Sequence, residues 1–380
     1  MKKVLATILA LVMALGVTTM AWADDVAKIG GTGYATLQEA VDAATNDQTI
    51  VLQSNVVLTA SLNVAAGKTV TLDLNSCKIT ADMNGPHMIC NAGNLTITDS
   101  SENKTGEIAK IGAETNFGYV IENHGTMTLD RCKISSTSVK SSAIENGWYT
   151  ASANTAGTSC TMTIQNAEVV SVNAAGGLYT VKNDDYGVMV INGGVFTNGV
   201  AGAGAVLNWN DLTINGGTFT GASAVRTLKS GSSDFETGKS QIKNGTFNGG
   251  IDTLDGYKTG ITIAVTGGTF STDVKEYLAE GKILQKNGDT YTAVTNSGIT
   301  SGTYTAKPTV PDGYKVVENT DGTFTVEKVG GYYYYQPTTD TRTTDTKGSP
   351  KTFDAGIALY VGMALTSAAG VAFVGKKRED

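Results

Sequence analysis

Short stretches of alternating apolar and polar residues recur along the chain, each followed by a polar turn and a second apolar stretch. The copies read VTLDLNSCKI (70–79), MTLDRCKI (127–134), MTIQNAEV (162–169), VMVINGGVF (188–196), DLTINGGTF (211–219), QIKNGTF (241–247) and ITIAVTGGTF (261–270). Such alternation is typical of a half-buried β-strand. A unit of this kind cannot bury its apolar face alone, so we expect successive units to stack on one another.

The last apolar residue of each unit marks the repeat length. With an eighth copy at 95–108 included, the marker series is Ile79, Ile108, Ile134, Val169, Phe196, Phe219, Phe247 and Phe270. The steps vary from 23 residues (196 to 219) to 35 residues (134 to 169). This length suits a coil of three short strands, with parallel coils about 4.8 Å apart. It is too short for a propeller blade of about 40–45 residues.

A second series keeps step with the first. Ile-x-Asn or Val-x-Asn stands at 89–91, 121–123, 144–146, 181–183 and 206–208, and Val225-Arg226-Thr227 and Ile251-Asp252-Thr253 continue it. One Asn per coil predicts a ladder of stacked side-chain amides. Asn tolerates the left-handed backbone of a sharp corner, and its side chain can bond turn amides. We therefore interpret the Asn series as structural.

A helical cap is predicted at the start of the stack. The positions with helical spacing are Leu37, Ala40, Val41 and Ala44. Thr36 followed by Glu39 is a capping-box pattern. A helix here would cover the first coil and shield its open strand edge, as terminal caps of stacked repeats do.

The repeat stops at about residue 271. Asn287-Gly288 and Asp321-Gly322 are strong hairpin signals, and they predict a small β-rich cap or spacer module at 271–330. Tyr332–Tyr335 and a Thr/Asp-rich stretch follow. Because residues 331–348 carry little apolar content beyond these tyrosines, we expect a disordered linker.

The first residues have the layout of an export signal. Lys2 and Lys3 precede an apolar run, and Ala21-Trp22-Ala23 offers small residues at a cleavage site. This layout predicts a signal peptide over 1–23, cleaved between Ala23 and Asp24. We therefore expect the mature chain to be exported.

A second apolar stretch, residues 355–374, has about the 20 residues that cross a bilayer. Lys376, Lys377 and Arg378 follow it, and positive charge tends to remain on the cytoplasmic side. The stretch predicts a C-terminal transmembrane helix whose upstream chain faces outward.

The segment before this stretch reads Ser349-Pro350-Lys351-Thr352. Together with the apolar stretch and basic tail, it resembles the cell-wall sorting signal of Gram-positive surface proteins over 349–380. The resemblance implies cleavage after Thr352 by a sortase, which joins the chain to the cell wall. Phe353 stands where that family usually has Gly, and Ser349 where it has Leu, whereas anchoring in the plasma membrane depends only on the apolar helix.

Composition agrees with an extracellular, turn-rich protein. Of 380 residues, 17% are charged and 46 are Gly, and the net charge is −7. The negative charge argues against a nucleic-acid partner, since phosphate binding needs basic patches. The four cysteines form no Cys-x-x-Cys pair, which argues against zinc. Cys77 and Cys132 share a repeat position that elsewhere holds Ala or Gly, so we expect them to act as small hydrophobic residues.

Residues 34–270 resemble the right-handed parallel β-helix of the pectate-lyase-like superfamily, most of all its non-enzymatic members on bacterial surfaces. The capping segment, the Asn series and the INGGTF-type turns carry the resemblance. It implies an all-β fold with a capped β-helix, which we place at 24–270, before the module, linker and transmembrane helix predicted above. This fold hosts lyases, hydrolases, adhesins and stalks, so it does not settle the function.

The resemblance implies two kinds of catalysis, a Ca²⁺-dependent lyase or a hydrolase with Asp as acid and base. Weak candidates are Asp184 and Asp185, with Asp211 one coil later and Arg226 one coil beyond. The chain has no Gly-His-Gly motif and no recognisable lyase motif. Acidic turn residues are usually solvated, so we predict no catalytic site, no metal site and no cofactor, with Ca²⁺ only under the lyase alternative.

Aromatic residues cluster in the corner that follows the Asn series. They are His124, Trp148, Tyr149, Tyr186 and Trp209. Stacked coils would align them in a column of rings that suits sugars, which need a flat apolar face and hydrogen bonds at its rim. The alternative is that the rings only cover the corner and pack on one another. We interpret the chain as a non-catalytic adhesin that binds a glycan or host matrix; the alternatives are a surface lyase or hydrolase and a passive wall spacer.

Overall fold

The structure is a computed structural model, and it describes residues 25–112, 116–149, 153–154, 157–172, 178–229 and 238–330. The predicted signal peptide with its cleavage site, the linker, the sorting motif and the apolar stretch at 355–374 lie outside these residues. Within the described part, no helix is long and apolar enough to cross a membrane.

The described residues form 29 strands, one α-helix, α1 (Leu37–Ala43), and one short 3₁₀ helix, η1 (Lys275–Tyr277). The strands are β1 (Ala27–Ile29), β2 (Thr32–Tyr34), β3 (Gln48–Leu52), β4 (Val56–Val57), β5 (Leu62–Val64), β6 (Thr69–Asp73), β7 (Lys78–Ala81), β8 (Ile89–Asn91), β9 (Asn94–Thr98), β10 (Glu107–Lys110), β11 (Ile121–Asn123), β12 (Thr126–Ser136), β13 (Ile144–Asn146), β14 (Cys160–Ser171), β15 (Tyr179–Asn183), β16 (Gly187–Ile191), β17 (Gly194–Asn198), β18 (Gly204–Asn208), β19 (Asp211–Ile214), β20 (Thr218–Thr227), β21 (Lys239–Ile242), β22 (Thr246–Asp252), β23 (Thr262–Val265), β24 (Thr269–Phe270), β25 (Lys282–Asn287), β26 (Thr290–Thr295), β27 (Gly302–Tyr304), β28 (Tyr314–Glu318) and β29 (Phe324–Lys328).

Three columns of parallel strands run through the stack. The first joins β3, β6, β9, β12, β14, β16, β19, β21 and β23. The second joins β4, β7, β10, β12, β14, β17, β20, β22 and β24. The third joins β5, β8, β11, β13, β15, β18, β20 and β22. The long strands β12, β14, β20 and β22 take part in two columns each. The predicted all-β fold of stacked coils is confirmed as a long, mostly parallel β-solenoid.

The marker series forms one column of the core in register from Ile79 to Phe270. All eight side chains are fully buried. The four Phe rings stack nearly parallel, with centroids 4.9 to 5.0 Å apart. Burial of each ring contributes about 1.5–3 kcal/mol, and stacked pairs add about 0.5–1.5 kcal/mol. The predicted marker series is therefore confirmed.

The shared position of Cys132 does require a small residue. Cys132 pairs with Ala167, which pairs with Gly194 in the next coil. A Cβ at Gly194 would lie 2.3 Å from the carbonyl oxygen of Ala167, and its φ is +111°. Cys132 is buried and Cys77 is half-buried, and all four cysteines are free thiols.

The predicted Asn ladder is confirmed, and its hydrogen bonds run continuously between coils. The Nδ2–H of Asn91, Asn123 and Asn146 each donates to the Oδ1 of the next Asn at 2.7 Å, and Asn183 donates to Asn208 at 2.8 Å. Asn208 closes the series by donating to the Ser240 hydroxyl at 3.0 Å. Each ladder Asn is buried, so the ladder satisfies polar groups that would otherwise be costly to bury.

One reason given for the ladder is wrong. None of the five Asn residues has a positive φ; each ends a strand of the third column in extended backbone. The other reason, that the Asn side chain bonds backbone amides of the turn, is confirmed. Asn91 Oδ1 accepts the N–H of Gly93 at 3.1 Å, and Asn208 Oδ1 accepts the N–H of Asn210 at 3.2 Å. Asn is therefore selected by its amide and not by its tolerance of left-handed backbone.

The predicted cap is confirmed at α1. Both hydrogen bonds of the capping box between Thr36 and Glu39 are present. The Gln38 amide bonds both backbone groups of Asn63 on β5, at 3.1 and 2.9 Å, which closes part of an open strand edge. Lys68 Nζ donates to three carbonyls at the end of α1, each at 2.8 Å.

Antiparallel strands follow the stack. β24 pairs with β26, and β25 to β29 pair antiparallel through β25–β26, β25–β27, β27–β29 and β28–β29. Both predicted hairpins are present, with Gly288 and Gly322 at positive φ in their loops. A separate small core supports these strands, formed by Ile283, Ile299, Tyr304 and Val326.

Candidate functional site

The middle residues of the third strand column form a second series in register. We call this series the outer column, and its members are Cys90, Glu122, Glu145, Lys182, Leu207, Arg226 and Asp252. Successive side chains of a strand point to opposite faces, so the outer column lies opposite the buried Ile and Asn positions. Sequence analysis missed it, although it is the variable middle residue of the Ile-x-Asn series.

The buried centre of the outer column is a carboxyl cluster. The Tyr119 hydroxyl donates to Glu145 Oε1 at 2.9 Å. Lys182 Nζ lies 2.5 Å from Asp184 Oδ2 and 3.9 Å from Glu145 Oε1. Burial, together with the neighbouring Asp184 carboxyl, raises the pKa of Glu145 to about 9, although Lys182 opposes the shift. Glu145 is therefore protonated at neutral pH, and Asp184 is the partner of Lys182.

Two of the predicted catalytic candidates, Asp184 and Arg226, are held in separate ion pairs. Asp184 is engaged with Lys182, and Arg226 forms a two-bond ion pair with Asp252 at 2.5 and 3.0 Å. Lys182 pairs with Leu207, and Leu207 pairs with Arg226, so the two cations are two rungs apart, about 10 Å at ordinary strand spacing. The Asp185 carbonyl accepts the N–H of Trp148 at 3.0 Å, and Asp211 opens β19.

Three of the five predicted ring residues lie together. The His124 ring stacks on Trp148, with centroids 4.4 Å apart and planes within 3°, and Tyr186 meets Trp148 edge-on at 6.0 Å. All three are partly exposed. We call this group the ring corner. The backbone bridge between Trp148 and Asp185 holds it in place.

Tyr149 belongs to a different group of rings. It is 69% exposed, meets Phe117 edge-on at 6.1 Å, and lies under Lys182 Nζ at 5.2 Å from its centroid. Phe117 in turn contacts Tyr119 and His87. The sequence did not single out Phe117, Tyr119 and His87 as ligand-contacting rings. They precede strands β11 and β8 and do not follow an Asn of the ladder.

Trp209 is separate from both groups among the described residues. It meets Tyr257 edge-on at 6.0 Å and packs on a small cluster of Tyr179, Leu207 and Leu228. Its indole Nε1 is buried without a hydrogen-bond partner. The five predicted residues therefore form no single column. Their packing on one another agrees in part with the alternative interpretation, in which the rings only cover the corner.

Glu122 forms the acidic wall of a small pocket beside the ring corner. The pocket has a volume of about 180 Å³, and its lining residues are Asn63, Val64, Ala65, Cys90, Asn91, Ala92, Glu122 and His124. Glu122 Oε1 lies 3.3 Å from His87 Nε2 and 3.9 Å from His124 Nε2. His87 Nδ1 accepts the N–H of Tyr119 at 3.0 Å, which directs Nε2 towards Glu122.

Two groups that line the pocket, His124 and Cys90, have pKa values shifted by burial and by Glu122. Burial lowers the pKa of His124, against the opposing effect of Glu122. Burial and the nearby Glu122 raise the pKa of the Cys90 thiol to about 11. Glu145, the next rung of the outer column, is protonated.

A larger cavity of about 510 Å³ lies between α1 and β4, and neither an ionisable group nor an aromatic ring lines it. It therefore offers neither of the features that distinguish the ring corner. Among the described residues, no group of three His, Cys, Asp or Glu side chains is arranged to hold a metal ion.

Comparison with family models, with curated proteins and with solved structures gave no match. The ring corner offers a partly exposed aromatic surface on a rigid backbone, with carboxyl and imidazole groups beside it. Such a surface binds by stacking and hydrogen bonding.

Proposed function

We propose that this chain is a non-catalytic glycan-binding protein displayed on the surface of a Gram-positive bacterium. One observation carries the proposal: the ring corner presents partly exposed Trp148, Tyr186 and His124 from neighbouring coils of a rigid stack. Flat rings with polar groups at their rim suit the apolar faces and hydroxyl groups of sugars. Because an antiparallel backbone bridge between Trp148 and Asp185 holds the ring corner in place, binding should cost little ordering entropy.

The display rests on the sequence motifs at the two ends. In the proposal, residues 1–23 export the chain and residues 355–374 anchor it in the plasma membrane, with a sortase joining Thr352 to the cell wall if the motif at 349–352 is used. Residues 24–270 form a right-handed parallel β-helix of the pectate-lyase-like kind. The module at 271–330 and the linker hold it away from the membrane.

Two ion pairs favour binding over catalysis. Asp184 is paired with Lys182 and Arg226 with Asp252, so neither side chain is poised to receive a proton from a substrate or to polarise it. Glu145, which holds a proton at neutral pH, is only 2% exposed at its side chain. A general acid must reach the leaving group of its substrate, and this side chain is covered.

A glycan array with the purified full chain tests the proposal. We expect binding to one or more glycans that Trp148→Ala abolishes and Trp209→Ala preserves, because Trp209 packs outside the ring corner. Absence of binding would instead support a passive wall spacer. Release of reducing or unsaturated sugars from a polysaccharide panel, lost in Asp184→Ala, would support the enzyme alternative.

A further inference from the structure

The Glu122 pocket differs from every other carboxyl site on the outer column. Asp252 is paired with Arg226. Asp184 lies beside the outer column and is paired with Lys182. Glu145 holds a proton and accepts the Tyr119 hydroxyl. The only ion-pair partners of Glu122 among the described residues are two imidazoles, His87 and His124. Asp252 and Asp184 thus each have an Arg or Lys partner, whereas within the described part of the chain no Lys or Arg forms an ion pair with Glu122.

The pocket in front of Glu122 is small and carries no cation of its own. None of its described lining residues is a Lys or Arg. Its volume of about 180 Å³ is below the range of about 300–1,000 Å³ typical for drug-sized ligands. It therefore suits one functional group of a larger ligand and not a whole ligand.

The position of the pocket links it to the ring corner. His124 lines the pocket and also stacks on Trp148. A sugar ring against the partly exposed Trp148 surface could thus place a substituent near Glu122. An ammonium group would gain a charge-assisted hydrogen bond to the carboxylate and would lie close to aromatic rings that favour cations.

We propose that the Glu122 pocket binds the protonated amine of an amino sugar within a glycan held at the ring corner. This inference rests on the proposed glycan-binding function and adds the chemical class of the ligand. The carboxylate supplies the charge, and the pocket size restricts the substituent to a small one. Among the described residues that line the pocket, Glu122 is the only Asp or Glu, so its carboxyl group is the one that meets the amine.

The test compares two series of oligosaccharides in titrations of the full chain. One series is built of glucosamine and carries free amines, and the other is built of glucose and carries hydroxyls at the same positions. We expect the amine series to bind at least about tenfold more tightly, as a charge-assisted hydrogen bond in place of a neutral one would give. Glu122→Gln should remove the preference, because Gln keeps the shape and loses the charge.

Glu168→Gln is the matched control, since Glu168 pairs with Lys133 on a different strand column and should leave the preference intact. The ratio of the two affinities does not depend on the folded fraction of a variant. Equal binding of the two series, or a preference that survives Glu122→Gln, overturns the inference while the proposed function stands. Failure of both series to bind, with no other glycan bound, overturns both. Equal binding of Nα-acetyl-lysine amide would assign the pocket to lysine side chains and overturn the sugar assignment.

Discussion

The two faces of the third strand column follow different rules. On the inward face, β8, β11, β13, β15 and β18 each carry Ile or Val and then Asn. On the outward face, the same five strands carry Cys90, Glu122, Glu145, Lys182 and Leu207. One face repeats in every coil, whereas the other carries four different residue types over the five strands.

The difference follows from what each face contacts. An inward side chain meets its own copies above and below, so a residue that suits one coil suits the next. The Asn amide illustrates this most clearly, because it both donates to and accepts from an identical neighbour. An outward side chain meets solvent, turns or a ligand, and no such rule constrains it. Repetition therefore marks the residues that build the fold, and departures from it mark candidates for function.

The largest effect is expected from the repeated apolar column. Phe219→Ala should lower the free energy of unfolding by about 3–5 kcal/mol, because it removes a buried ring and leaves a cavity between two stacked neighbours. Phe219→Leu should cost less, since much of the volume remains. Chemical denaturation followed by circular dichroism measures both. A loss below about 1 kcal/mol for the Ala variant would contradict the role of the column.

The repeated polar column should give the next largest effect. Asn146→Ala removes the acceptor of Asn123 Nδ2 and the donor to Asn183 Oδ1. We expect a loss of about 2–4 kcal/mol, since each buried polar group left unpaired costs about 1–3 kcal/mol. Asn215→Ala is the matched control, because its amide bond to Asn192 is exposed; it should change stability by about 0.5 kcal/mol or less. Equal losses in the free energy of unfolding for the two variants would show that the buried Asn ladder stabilises the fold no more than an exposed amide pair does.

Glu145 shows that the outward face is not a purely solvated surface, because this outward side chain is buried. Burial and Asp184 raise its pKa in the folded state from 4.5 to about 9, so between these values the folded state keeps a proton that the unfolded state releases. The contribution of this retained proton to the free energy of unfolding is fully present below pH 4.5 and is lost as the pH rises through 9. Glu145→Gln lacks this titration. The stability of the wild type relative to the variant should therefore fall as the pH rises across this window, in denaturation curves recorded at several pH values. A constant difference would contradict the buried, protonated state.

The sequence predicted the inward face far better than the outward one. The marker residues from Ile79 to Phe270 and the Asn series could be aligned by spacing alone, because each contacts its own equivalent in the next coil. The outer contacts depend on turns of unequal length. Tyr149 contacts Phe117 and Lys182, and Trp209 packs on Tyr257 outside the ring corner. Both contacts result from local turn geometry that the spacing of residues in the sequence does not encode. The protonation of Glu145 was equally hidden, since it requires burial near Asp184, which comes from another coil.

The smallest effect on stability is expected at the ring corner. Trp148→Ala removes a partly exposed stack and should cost about 1 kcal/mol, the scale of one aromatic pair. Tyr314→Ala, in the antiparallel strands after the stack, is its control, because Tyr314 is also a partly exposed ring. Thermal melting of the two variants should show small and similar shifts. A large loss for Trp148→Ala alone would mean that the ring corner mainly supports the fold.

Calorimetric titration of these same two variants with a glycan that the wild type binds tests the central claim most directly. We expect Trp148→Ala to lose at least about tenfold in affinity, the scale of one lost ring contact, whereas Tyr314→Ala should bind as the wild type does. Equal affinity of the two variants would contradict the claim that the non-repeated outward residues at the ring corner carry the function.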